Sequence, residues 1–151
     1  MIRKSFKYFS IIFSVCALVT LYLPLFSTRI TDGESWDMVV RGYNTVDFSA
    51  WGSVVLLTPI VLILLIISKL RKNIKTLSIL SLCLLDGFAL CDSISKTYSW
   101  MTENATGYIT IHNNHLIYAV LLLIAGIYFF IDCNFDLEGR FIKDVFIKKE
   151  N

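Results

Sequence analysis

Residues 76–95 read TLSILSLCLLDGFALCDSIS: charge-free from Thr76 to Leu85 and again from Gly87 to Cys91, with the carboxyl of Asp86 in between. An acid at the centre of a membrane helix costs ~2.5–3.5 kcal/mol, while each Leu, Ile or Phe returns only ~0.3–0.6 kcal/mol. The large apolar residues of this run therefore roughly offset Asp86 and leave little over. We expect the segment to enter a bilayer paired with a more apolar neighbour and to turn Asp86 inward.

Such neighbours are present. No charge occurs from Tyr8 to Thr28, from Phe48 to Ser68, or from Ala105 to Ile131. A bilayer core needs ~20 residues of helix, so each of these runs is long enough to span. The whole chain of 151 residues is 56% hydrophobic and only 17% charged, and its mean hydropathy is +0.65. A soluble core of this size cannot hide that much apolar surface. The runs are long and do not alternate, which suits helices rather than the short dyad-repeat strands of a membrane barrel. The expected fold is an all-α membrane protein, a single four-transmembrane-helix bundle over 1–151. Its helices are expected at about 6–26, 50–69, 76–95 and 115–133, joined by short outer loops.

Charge gives an orientation. Arg3, Lys4 and Lys7 precede the first run, and Lys69, Arg71, Lys72 and Lys75 fill the link between the second and third, whereas the other side holds Arg29, Arg41 and Lys96. By the positive-inside rule the protein is expected in the cell membrane, multi-pass, with both termini cytoplasmic. The basic start also suits a signal peptide. Its apolar part, however, is longer than the usual ~7–15 residues and ends in Pro24-Leu25-Phe26-Ser27-Thr28 without an A-x-A-like site, so we read it as a retained span. Beyond the fourth run, Leu137, Phe141, Ile142, Val145 and Phe146 fall on one helical face opposite Arg140, Lys143, Asp144 and Lys148. That pattern predicts a C-terminal amphipathic cytoplasmic helix at about 137–148, on the inner leaflet or against a partner.

The outer segments, 27–49 and 96–114, are expected to be loops, and their rings (Trp36, Tyr43, Phe48, Tyr98, Trp100, Tyr108) together with Trp51 at the start of the second helix are expected at headgroup level. Tyr108-Ile109-Thr110-Ile111-His112 alternates like a short strand.

Asp86 is level with Thr58-Pro59 of the second run, and Asp86, Thr58 and Pro59 form the expected intramembrane polar site. Proline at 59 frees the carbonyl of Val55. With no intramembrane Lys or Arg to pair with, Asp86 is expected to keep its proton and donate to Thr58 or to that carbonyl. The same carboxyl serves equally as a protonatable relay or ion site. Asp92, nearer the outer surface, is expected to meet headgroup water.

Other chemistry is sparse. Cys16, Cys83, Cys91 and Cys133 contain no C-x-x-C, and Cys83 and Cys91 lie about 12 Å apart along a helix, too far to bridge. They read as small apolar fillers. His112 and His115, with Asp92 or Glu103, match no usual zinc spacing. Asn104-Ala105-Thr106 is a glycosylation sequon, meaningful only in a eukaryotic secretory pathway. No phosphate loop, catalytic triad or paired carboxylates occur, so we expect no enzyme, cofactor or metal. Basic residues hug the membrane ends, so no nucleic acid is expected either.

The segment Leu23-Pro24-Leu25-Phe26-Ser27, the Gly33 loop with Arg41-Gly42-Tyr43, and Trp51-Gly52 opening a second helix resemble a loose class of small bacterial four-helix membrane proteins. The resemblance implies four spans and adds no catalytic residue. Apart from the bilayer, the expected partner is another membrane protein or a second copy, with the chain acting as an accessory, immunity or regulatory subunit. A small transporter or channel subunit with Asp86 lining a proton or ion path is the alternative.

Overall fold

The computed structural model describes residues 2–32, 34–105 and 107–134, with side chains described for these except 2–5 and 30–36. The expected C-terminal amphipathic helix lies outside the described residues. In order, the chain forms α1 (Ile2–Thr20), β1 (Pro24–Asp32), β2 (Glu34–Arg41), a 3-10 turn (Gly42–Asp47), α2 (Gly52–Ile67), α3 (Lys72–Asn104), β3 (Thr110–Ile111) and α4 (Asn114–Asn134).

The helices close a ring: α1 packs on α4 and α2, and α3 packs on α2 and α4. Of these, α3 and α4 are long and apolar enough to cross a membrane, while Phe6–Thr20 and Gly52–Ile67 are shorter apolar helices. The tightest pair is α1 with α4, and the reason is small side chains. Ser10, Ser14 and Ala17 on α1 are fully buried, as is Ala125 on α4, and small residues let helix backbones approach closely. Ser10 Oγ donates to Ala125 O at 2.7 Å, tying one helix to the other's backbone. Ser10→Leu, which forces bulk into that seam, is expected to cost about 1–3 kcal/mol. Ser10→Ala, which only frees one carbonyl, should cost less, about 1 kcal/mol. Unfolding in mixed dodecyl maltoside–SDS micelles, followed by circular dichroism, measures both.

Two expectations change. The fold is not all-α, because the first outer segment is a β-hairpin rather than a loop. Its ladder runs from Pro24↔Arg41 to Asp32↔Glu34, with an irregularity between Pro24 and Phe26. β3 adds to the other side of β1 through Phe26↔Ile111 and Ser27↔Thr110, giving the order β2-β1-β3. The first helix accordingly stops at Thr20 instead of continuing to 26. Pro24 lacks an amide hydrogen and pushes Leu23 towards extended backbone, so the chain leaves the helix before it and starts β1 at it.

The second change is that α3 continues to Asn104 through what was read as loop. At ~1.5 Å per residue it is about 50 Å long, more than a ~30 Å hydrocarbon core. Its outer third packs on the sheet, where Met101 shares a small core with Leu25, Phe26 and Val40. Asn104 Nδ2 donates to Trp100 O at 2.7 Å and the Ala105 amide to Met101 O at 2.8 Å, closing the last turn. The Asn104 amide of the sequon is therefore already engaged.

Rings and glycines join the cap to the helices. Phe48 lies on Trp100 and Trp51 meets Phe88 edge-on, with centroids 5.1 and 5.2 Å apart. At Gly52 a Cβ would lie 2.5 Å from the carbonyl carbon of Thr45, so only glycine lets α2 start against the 3-10 turn. At the opposite end Lys75 Nζ donates to Ser68 O at 2.7 Å, capping the C-terminus of α2, where the helix dipole favours a cation. Asn134 Nδ2 donates to Thr76 Oγ1 at 3.1 Å, joining α4 to α3 there.

Candidate functional site

Asp86 is 4% exposed, whereas Leu84 on the same helix is 78% exposed. Alternate sides of α3 explain this: Ile79, Asp86, Ala89 and Ser93 face inward, and Leu77, Leu80, Leu84 and Phe88 face outward. The carboxyl thus sits inside the ring of helices at the level of Thr58 and Pro59, which are also buried.

Its partners come from two helices. Tyr118 on α4, 1% exposed, places its hydroxyl 3.0 Å from Asp86 Oδ1 and 2.8 Å from Val55 O. Val55 O is the carbonyl that Pro59 leaves without its helical donor, since proline has no N–H to give back one turn. The Thr58 hydroxyl donates to Val54 O at 2.8 Å and also lies in hydrogen-bonding range of the Asp86 carboxyl.

The protons can be counted. A hydroxyl has one proton and two acceptor lone pairs. With Tyr118 donating to Val55 O and Thr58 to Val54 O, both hydroxyl oxygens have only lone pairs to offer Asp86. The network closes when Asp86 is a neutral acid donating to Tyr118 Oη, and equally when the Thr58 hydroxyl turns to an Asp86 carboxylate, because Val54 O keeps the Thr58 amide of the helix.

The structure thus places Thr58 within hydrogen-bonding range of Asp86, with Pro59 buried next to Thr58, and gives the freed Val55 carbonyl to Tyr118 rather than to Asp86. Sequence reasoning did not single out Tyr118, because no motif or spacing ties it to Asp86. The available signal was a hydroxyl-bearing ring inside the fourth charge-free run.

About two and three turns farther along α3 are further buried hydroxyls, those of Ser93 and Thr97. Thr97 Oγ1 donates to Ser93 O at 2.7 Å. Ser93 Oγ is buried without a hydrogen-bond partner among the described residues. Asp92 does more than meet water: its Oδ2 accepts from Ser49 Oγ at 2.7 Å and lies 3.0 Å from Lys96 Nζ. Ser49 Oγ in turn accepts from the Trp51 amide, so Asp92 fixes the entry to α2.

The histidines are engaged separately. His112 Nε2 lies 3.0 Å from Ser27 Oγ, and His115 Nδ1 lies 3.1 Å from His112 O. Among the described residues no three His, Cys, Asp or Glu side chains converge as a metal set.

Asp86 also borders a surface groove. Between α3 and α4 a half-open groove of about 230 Å³ is lined by Cys83, Asp86, Gly87, Leu90, Ala119, Leu122 and Leu123. Small side chains on α3 hold it open, and the position where Gly87 would carry a Cβ has nothing within 4 Å. Comparison of the chain with protein-family models, with curated proteins and with solved structures returns no match.

Proposed function

We propose that this chain is a four-crossing integral membrane protein that works by contact with another membrane protein, as an accessory, immunity or regulatory subunit. The observation that carries the reading is the inversion of polarity across the helices. Ser10, Ser14, Thr58, Asp86 and Ser93 point inward while Leu64, Ile67, Leu77, Leu84 and Leu123 point outward. Water as the surrounding solvent would favour the opposite arrangement; hydrocarbon favours this one, because polar groups there must find partners inside the protein.

The short helices fit this reading. Phe6–Thr20 and Gly52–Ile67 span about 22–24 Å as helix, and such a mismatch is met by local thinning and by flanking polar residues. The basic link at 69–75 favours a cytoplasmic position for that hairpin and for both ends.

Contact with a partner draws support from the sheet. β2 is an eight-residue strand at its edge, and edge strands present unpaired backbone groups to another chain. Affinity capture of the full chain from gently solubilised membranes should repeatedly recover one membrane protein, and recovery of none counts against the reading. A cysteine at residue 73 should be labelled only after reagent enters the cytosol; labelling from outside would overturn the orientation. A second reading, a small transporter or channel subunit, draws on the groove at Asp86. Proton or cation flux in liposomes that Asp86→Asn removes would replace the first reading with this one.

A further inference from the structure

The groove between α3 and α4 combines three properties. It opens on the outer face of the helix ring, its lining includes the small residues Cys83, Gly87 and Ala119, and Asp86 is among the residues that line it. Cys83 and Gly87 are four residues apart on α3, the small-xxx-small spacing at which membrane helices pack backbone to backbone. Its volume of about 230 Å³ is several times the ~30 Å³ that one water occupies in liquid, so a side chain from outside can enter.

The possible occupants differ in what they offer Asp86. A lipid chain fills apolar space but brings no donor to a carboxyl. A second copy of this chain brings no base to that depth, because its charge-free runs contain no Lys or Arg. Lys75, the nearest base before Asp86 on α3, is about 16 Å away along the helix and already caps α2. A cation supplied by a different protein is complementary, since acids and bases within membranes pair with one another.

We propose that this groove receives a transmembrane helix of a different protein with a lysine or arginine at mid-depth, whose cation pairs with Asp86. The proposal rests on the membrane reading above and specifies the partner that reading calls for. In the isolated chain Asp86 bonds to Thr58 or Tyr118; in the complex it is a carboxylate that pairs with the incoming cation, while Tyr118 keeps its bond to Val55 O.

The test uses the full chain with serine at Cys16 and Cys91, co-reconstituted in phosphatidylcholine vesicles with a synthetic helix of roughly twenty leucines. The probe helix carries one central lysine and a cysteine one turn away, and its control has leucine in place of the lysine. Oxidation should trap the lysine probe on Cys83, located by peptide mapping, about tenfold more than the control, the factor expected of one strong interhelical polar contact. Asp86→Asn, which can still donate to Tyr118, should remove that preference. Gly87→Leu, which fills the groove from open space, should remove trapping of both probes.

Equal trapping of the two probes, or a lysine preference that survives Asp86→Asn, would overturn the proposal. So would a Cys83–Cys83 product between two copies that outcompetes the probe. Flotation of the vesicles separates the failures: a chain that does not float with lipid sinks the membrane reading too, whereas a floating chain indifferent to lysine sinks only the groove assignment.

Discussion

Gly52→Ala should be the most damaging single-methyl change in this protein. The added carbon would stand 2.5 Å from Thr45 C, 2.6 Å from Thr45 O and 2.6 Å from Val46 N, all backbone atoms that cannot rotate away. Either the 3-10 turn or the start of α2 must move. That movement breaks the bonds of Gly52 N to Ser49 O and of Ser49 N to Thr45 O, and with them the seat of Ser49 against Asp92. Overpacking of this kind costs about 1–3 kcal/mol, here towards the upper end because no side chain can absorb it. Gly87→Ala is the matched control. Nothing lies within 4 Å of its added carbon, and alanine is the better helix former by roughly 0.5–1 kcal/mol, so stability should hold or rise. Unfolding in mixed micelles compares the two directly. Equal losses at both positions would mean that the approach of α2 to the 3-10 turn is not as tight as described.

Tyr118→Phe should have the second largest effect, and Asp86→Asn a much smaller one. Phenylalanine fills the same space but removes the hydroxyl that serves both Val55 O and Asp86. Two buried groups then lose a partner. Each costs about 1–3 kcal/mol in a water-referenced scale; under the membrane reading proposed above, where polar contacts between helices average nearer ~0.6 kcal/mol, a total loss of about 1–2 kcal/mol is expected. Asparagine at 86 still donates to Tyr118 Oη and should stay within about 0.5 kcal/mol of the parent. A double-mutant cycle isolates the bond: Tyr118→Phe should cost markedly less in an Asp86→Leu background, with a coupling of at least ~0.5 kcal/mol. Strict additivity would show that the Tyr118–Asp86 contact contributes nothing.

How the site was and was not legible follows from distance along the chain. Thr58 and Pro59 could be set beside Asp86 because helices two and three are joined by a short basic link, which puts antiparallel neighbours in predictable register. The junction between α3 and α4 offers no such guide. Residues 105–113 include a strand that pairs with β1 far away in sequence, so the starting depth of α4, and hence of Tyr118, depends on the sheet.

The hairpin was hidden for a related reason. Asp32-Gly33 flanked by Thr28, Ile30, Trp36 and Val39 is a strand-and-turn composition. Interleaved Ser27, Arg29, Ser35 and Asp37 made it read as a polar loop. What turns it into sheet is the burial of Phe26 and Val40 against Met101, a residue 75 and 61 positions away from them.

Sequence alone determined where the apolar helices lie and that Asp86 must be shielded, because the length and the charge-free character of a segment are local properties that hydrocarbon and water price residue by residue. Tertiary structure decided which hydroxyl meets Asp86, where α1 ends, how far α3 runs and that the cap is a sheet. Those outcomes rest on contacts between segments 30 to 85 residues apart, such as Asp86 with Tyr118 and Ser27 with His112. No local pattern encodes such contacts, since a strand or a side-chain bond is stable only once its distant partner is in place.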